Sequence, residues 1–139
     1  MSEELIFGSQ KPDVSYTERQ AAYAVIANNG KFAAVKLQEK CFLPGGGSLA
    51  GETSEQTIVR EVSEELARSV RLVCKIGEVI QYFYSEIDAR HYKMRATFFV
   101  AEFTDELCGN GEDELCWLSK DEAEQAFFHE CHLWATRQI

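Results

Sequence analysis

Gly45-Gly46-Gly47-Ser48-Leu49-Ala50-Gly51-Glu52-Thr53, followed by a run containing Arg60-Glu61-Val62-Ser63-Glu64-Glu65, is the stretch on which the fold turns. The spacing predicts a helix from Thr53 to about Ser69. Thr53 with Gln56 fits a capping box, and Ile58, Val59, Val62 and Leu66 supply an apolar stripe. At 100° per residue, Glu61, Glu64 and Glu65 fall at i, i+3 and i+4 on one face. The helix is therefore anchored by one side and offers carboxylates on the other. Like charges at this spacing repel, and a hard cation such as Mg²⁺, which prefers carboxylate oxygen, removes that repulsion. Taken alone, such an acidic pattern reads as a solvated helix face. The preceding Pro44-Gly-Gly-Gly turn changes the balance. It permits φ > 0 and close backbone approach, and its peptide groups can ligate metal through oxygen or meet phosphate through N–H.

Outward from this segment, strands and helices interleave. Glu4 to Phe7 reads as a short strand. Gln20 to Ala27 and Lys31 to Leu37 read as strands joined through Asn28-Asn29-Gly30, and Asn-Gly is a strong hairpin signal. Phe42-Leu43 is a short apolar piece stopped by Pro44. Val70 to Tyr84 and His91 to Phe103 are β-rich, with a wide hairpin through SEIDAR. Thr104 to Asp113 reads as a polar loop and Leu115 to Leu118 as a short strand. Ser119 then caps a helical region from Lys120 to about Thr136. The long hairpins argue against a purely parallel sheet, so the expectation is an α/β fold whose mixed sheet carries helices on both faces.

A chain of 139 residues, 45% hydrophobic and 27% charged, is long enough to close a core and is expected to form one domain over 1–139. No apolar run approaches the ~20 residues of a membrane span. Met1-Ser2-Glu3-Glu4 is acidic where a secretory signal would be basic and then apolar, so a cytoplasmic location is expected. Cys41, Cys74, Cys108, Cys116 and Cys131 are scattered without a Cys-x-x-Cys pair and read as reduced, mostly buried small hydrophobes. A net charge of −9 argues against a nucleic-acid polymer as partner. It is compatible with a small phosphorylated substrate bound through a divalent cation.

The central stretch resembles the signature of the Nudix hydrolase family (MutT-like), G-x5-E-x7-R-E-U-x-E-E-x-G-U with U a bulky aliphatic residue. Gly46, Glu52, Arg60, Glu61, Val62, Glu64 and Glu65 fill its first seven specified positions at the right spacing. Ala67 stands where the terminal Gly belongs and Arg68 where the last aliphatic belongs, both at the helix exit, where Gly is a C-cap device. The resemblance implies an α/β/α sandwich with a mixed central sheet and a pyrophosphohydrolase that uses Mg²⁺, with Mn²⁺ as a substitute. It also implies a diphosphate linkage in a nucleoside diphosphate derivative as target, a dinucleoside polyphosphate or nucleoside triphosphate among the choices. Gly46, Glu61, Glu64 and Glu65 would form the metal-binding set. Glu61 would also activate water, Arg60 would hold its neighbouring carboxylates, and Glu52 would brace the loop against the helix or touch a metal through water. The oligomer stays open, a homodimer being one arrangement. A catalytically silent nucleotide-sensing module of the same fold would show eroded carboxylates, and all four glutamates of the signature are present.

Many relatives carry a further acid late in the chain. Glu112, Asp113 and Glu114 precede Trp117, and Glu114 matches an E-x-x-W spacing, which makes it the candidate third catalytic residue. For substrate binding, Tyr82-Phe83-Tyr84 alternates across a strand. Phe83 is assigned to core packing, while Tyr82 or Tyr84 would line a pocket, and Arg19 would meet phosphate. His129, His132 and Trp134 read as packing or capping groups.

Overall fold

Ala21, Ala22, Tyr23, Ala24, Val25 and Ile26 are buried without interruption, as a strand must be when both sheet faces are covered. The computed structural model, which describes residues 4–104 and 111–139, shows how. In chain order the elements are β1 (Leu5–Phe7), β2 (Thr17–Val25), β3 (Ala27–Asn28), β4 (Lys31–Leu37), β5 (Lys40–Phe42), β6 (Gly45–Gly47), α1 (Ser54–Leu66), β7 (Val70–Ser85), β8 (Arg90–Phe103), β9 (Glu114–Leu118), α2 (Lys120–Ala126) and α3 (Glu130–Thr136). A mixed five-stranded sheet runs β1-β7-β8-β2-β6, with β1–β7 and β2–β8 parallel and the rest antiparallel. Alternate residues of β2 serve opposite faces. Ala21, Tyr23 and Val25 join Met94, Ala96, Phe98 and the Cys131 and Ala135 of α3. Ala22 and Ala24 join Phe99, Ala101 and the Ile58, Val62 and Leu66 of α1. The expected α/β arrangement, a mixed sheet between helices, is the one observed.

A second sheet carries β3, β4, β5 and β9, with β4 between β9 on one edge and β3 and β5 on the other. Here the hairpin reading needs correction. Asn29 and Gly30 do turn with φ of 53° and 75°, but the strand returning as β4 pairs only with the two residues of β3, plus an Ala33 N–H to Ile26 carbonyl bond at 2.8 Å. Both edges of β2 are already taken, by β8 and by β6, so β4 moves to a different sheet.

The expected C-terminal helix is also interrupted. Ser119 caps α2 with Glu122 in a capping box, as its sequence suggests. Phe127 is then extended (φ −69°, ψ 130°), bridges to Cys41, and Phe128 donates its N–H to the Cys41 carbonyl at 3.0 Å. Burying Phe127 in the core while turning Phe128 and His129 toward β5 is incompatible with one straight helix. Four cysteines among the described residues (Cys41, Cys74, Cys116, Cys131) are free thiols, and Cys108 lies outside those residues. Among the described residues no helix is long and apolar enough to cross a membrane.

Candidate active site

Thr53 caps α1 by accepting from the Gln56 N–H at 3.1 Å, while the Gln56 side chain accepts from the Thr53 N–H at 3.0 Å. This fixes the helix start directly after Glu52. The Gly45–Gly47 stretch, read in the sequence as a turn, is instead the edge strand β6. Its glycines are needed for close approach: a Cβ on Gly45 would collide with the Ala22 carbonyl oxygen, and one on Gly46 would stand 2.5 Å from Glu61 Oε2. Bare backbone therefore packs directly against the acidic face of α1.

Arg60 organises that face. Its Nε donates to Glu52 Oε2 at 2.7 Å and its Nη2 to Glu52 Oε1 at 3.0 Å and to the Gly47 carbonyl at 2.9 Å. Its Nη1 reaches Glu61 Oε1 at 2.6 Å and Glu64 Oε2 at 3.2 Å. Glu52 also accepts from the Leu49 N–H and the Thr57 hydroxyl. The Arg60 hydrogen bonds, aided by the Leu49 N–H, hold the Glu52 carboxyl down at about 2. Glu52 is thus a permanent anion that locks the loop to the helix.

Glu61 and Glu65 behave oppositely. Burial is the main cause that raises both, and Glu65 is pushed up to about 8 although its Oε1 accepts the Gly45 N–H at 3.1 Å. Two desolvated carboxylates beside each other and beside the Gly46 backbone form a donor set short of positive charge. A hard dication fits such a set, since it would supply that charge to oxygen ligands. Among the described residues no group of three or more Asp, Glu, His or Cys side chains already converges to hold a metal. Glu64, half exposed, is turned to Arg60 instead.

These groups open onto a cavity of about 310 Å³. Arg19, Gly46, Glu61, Glu65 and Asp113 line it, together with Phe42, Phe83, Phe128 and His129, whose rings pack against one another. Arg19 makes no ion pair with the described residues. It lies over Tyr92 at 5.9 Å from the ring centroid, and its Nε is buried without a hydrogen-bond partner.

The sequence candidates therefore divide. Gly46, Glu61, Glu65 and Arg19 meet in the cavity, with Arg60 and Glu64 bound to Glu61 along the same helix. Glu114 does not line the cavity. It starts β9 opposite Lys36, and its neighbour Asp113 takes the place in the cleft, its carboxyl raised by burial. Tyr82 and Tyr84 do not line the cavity either. Tyr82 packs edge-on against Tyr16 and hydrogen-bonds Gln10, and Tyr84 packs against His91. Phe83 packs against the core, as expected, and His129 packs among aromatic rings at the start of α3, and both also line the cleft. The pleat guarantees that Tyr82 and Phe83 differ in face, but nothing in the local sequence says which face is which. Of the acidic triplet before Trp117, Asp113 is the member that reaches the cleft.

A NUDIX domain family model matches residues 17–134. Among solved structures, the MutT NUDIX hydrolase of Burkholderia pseudomallei superposes with a TM-score of 0.68 at 22% identity, covering 88% of this chain and 98% of that one. The MutT protein of Methanosarcina mazei Go1 gives 0.68 at 21%, over 91% and 96%. An ADP-ribose pyrophosphatase of Streptococcus suis 89-1591 gives 0.63 at 18%, over 86% and 90%. A comparison with curated proteins found no match. The chain belongs to the NUDIX family of pyrophosphohydrolases.

Proposed function

We propose that this enzyme cleaves the diphosphate linkage of a nucleoside diphosphate derivative with the help of Mg²⁺, or Mn²⁺ in its place. The observation that carries the reading is the continuity of one cleft, which joins the desolvated Glu61–Glu65 pair, the unpaired Arg19 guanidinium and a recess walled by Phe42, Phe83 and Phe128. An anionic linkage suits Arg19 directly and the carboxylate pair through a bound cation, and a planar base suits the aromatic recess. A dinucleoside polyphosphate and a nucleoside triphosphate are both substrates of this kind.

Glu61, Glu64, Glu65 and the Gly46 carbonyl would hold the cation. When bound, it neutralises charge that develops on the phosphoryl oxygens. Glu61 accepts the proton of the attacking water. Arg60 positions Glu61, and the anionic Glu52 holds Arg60. Arg19, which lines the same cleft beside Gly47, orients a phosphate. Asp113 supplies the acid that the late segment was expected to contribute through Glu114. A silent regulatory module is disfavoured because Glu52, Glu61, Glu64 and Glu65 are all present.

Turnover of a panel of nucleoside diphosphate derivatives, with and without Mg²⁺, tests the reading. Release of a phosphate-bearing product only in the presence of the cation supports it. Hydrolysis that persists in excess chelator, or no hydrolysis of any panel member, overturns it.

A further inference from the structure

His129 lies at the break between α2 and α3 and is 4% exposed, yet it lines the cleft. It is the N-cap residue of α3, but its side chain makes no capping hydrogen bond. Rings close around it: Phe83 at 4.5 Å between centroids and 71° between planes, Phe128 at 4.8 Å and 65°, and Phe42 at 5.6 Å and 71°. Behind it stands His132 at 5.0 Å. The two histidines are used differently. His132 is fully buried, and its Nδ1 accepts the Leu43 N–H at 3.0 Å, a structural bond joining α3 to the end of β5. The His129 imidazole makes no hydrogen bond with a described residue.

A ring N–H facing a narrow, largely desolvated cleft gains a hydrogen bond when a ligand brings the acceptor. Burial, with the cations Arg19 and Lys40, drives the His129 pKa down to about 3, so the ring is neutral near pH 7 and offers one N–H and one lone pair. Those two cations are the charged groups acting on it, and their positive field favours ligand atoms that carry partial negative charge. Lys40 Nζ itself sits 4.4 Å from the centroid of the Phe128 ring. An acceptor atom is the complement of that environment.

We propose that His129 determines specificity by donating its ring N–H to an acceptor, a carbonyl oxygen or ring nitrogen, of a neutral heteroaromatic group taken up among Phe42, Phe83 and Phe128. This rests on the reading of the cleft as a nucleotide site. The Glu61–Glu65 part of the cleft would hold the reacting atoms, while His129 acts among the aromatic rings, on the part of the substrate that is not cleaved. Discrimination by a site built to hydrogen-bond its ligand is strong, because the wrong ligand leaves that group unpaired.

The test compares His129→Phe and His129→Gln with wild type in the presence of Mg²⁺. The substrates are the four common ribonucleoside triphosphates and inorganic triphosphate, which has no base. The quantity read is the ratio of kcat/KM with a base to kcat/KM without one. His129→Phe should lower this ratio about tenfold for the preferred nucleotide, mainly through KM, the effect of one lost hydrogen bond. His129→Gln, which keeps an N–H donor, should recover part of it. Equal losses on both kinds of substrate would show a packing role and overturn the proposal, as would an unchanged ratio.

A second measurement does not depend on turnover or on a variant folding. In wild type labelled with ¹⁵N-histidine, the His129 ring signal should shift on titration with nucleoside 5′-monophosphates and stay still with ribose 5-phosphate. A base-dependent shift without hydrolysis of any nucleotide would retain His129 and reject the hydrolase reading. No base-dependent shift would reject His129 whatever the enzyme turns over.

Discussion

The backbone N–H of Asp113 donates to the carbonyl of Glu65 at 2.9 Å. The adjacent Glu112 N–H reaches the Glu64 carbonyl at 3.1 Å. Two carbonyls that a helix end normally leaves without partners are thus satisfied by the late acidic segment, which carries Asp113 into the cleft beside Glu65. Gly111 makes this approach possible, since a Cβ there would collide with the Glu65 carbonyl.

Asp113→Asn should therefore lower kcat by about tenfold or more, within the range of an acid or base contribution, while Glu114→Gln should stay within about twofold of wild type, as expected for a side chain outside the cleft. Steady-state kinetics on the two variants decides the matter. A larger loss for Glu114→Gln would return the role to that residue.

The helix exit yields a stability prediction. Ala67 occupies the left-handed region at φ 54°, where the family signature has Gly, and its N–H donates to the Ser63 carbonyl at 3.0 Å. Relief of this strain, less the extra chain entropy of glycine, should make Ala67→Gly about 0.5–1 kcal/mol more stable. Denaturant unfolding would measure it, and a less stable variant would mean that the Ala67 methyl packs better than its backbone suffers. The other departure is compensated: the Arg68 guanidinium lies 3.9 Å from the centroid of the Phe103 ring.

Removing the buried charge of Glu65 should stabilise the metal-free protein and cost it its metal response. Its carboxyl is raised to about 8 because burial disfavours the anion, so Glu65→Gln should raise Tm in chelator. Added Mg²⁺ should raise Tm of wild type but not of the variant, because a cation that binds only the folded state stabilises it. Matching Mg²⁺ shifts in the two proteins would remove Glu65 from the metal set.

Glu61→Gln tests the base. The expected loss is ~10²–10⁴-fold in kcat with a far smaller change in KM. Near-normal kcat, with the acidic limb of the pH–rate profile unmoved, would assign the base elsewhere.

Acid stability follows from the histidines. His129 is depressed to about 3 by burial, with Arg19 and Lys40 adding to it, and His132 is lowered by burial with His129 beside it. Their unfolded values lie near 6.5. Between these limits the unfolded chain binds more protons, so the stability they contribute is present above about pH 6.5 and is lost as pH falls toward the folded values. One such group changes stability by about 1.4 kcal/mol per pH unit. Glu65 acts in the opposite sense, because its folded pKa is raised. The difference between wild type and His129→Gln cancels that contribution. Unfolding free energies from pH 7 to 4 should fall less steeply in the variant by about one proton, and parallel curves would contradict a neutral buried His129.

Much of the architecture is a property of the chain itself. The capping box of Thr53 and Gln56, the apolar stripe of α1 and the shared face of Glu61, Glu64 and Glu65 follow from 3.6-residue periodicity, and each holds wherever the helix is placed. The two long strands and the mixed sheet are likewise legible from composition and turn residues. Three features were settled only by tertiary packing. β4 left β2 because β8 and β6 already occupied both edges, an exclusion that no local signal records. The last helix broke at Phe127 because that residue and Phe128 pack in different directions. Phe83 faces the cleft, and Tyr82 does not, because α3 packs on the Val79–Gln81–Phe83 side of β7, where Gln81 accepts the Cys131 N–H at 3.1 Å. A pleated strand presents two faces that its own sequence leaves equivalent in direction, and only the element packed against one of them determines which side chains meet the substrate.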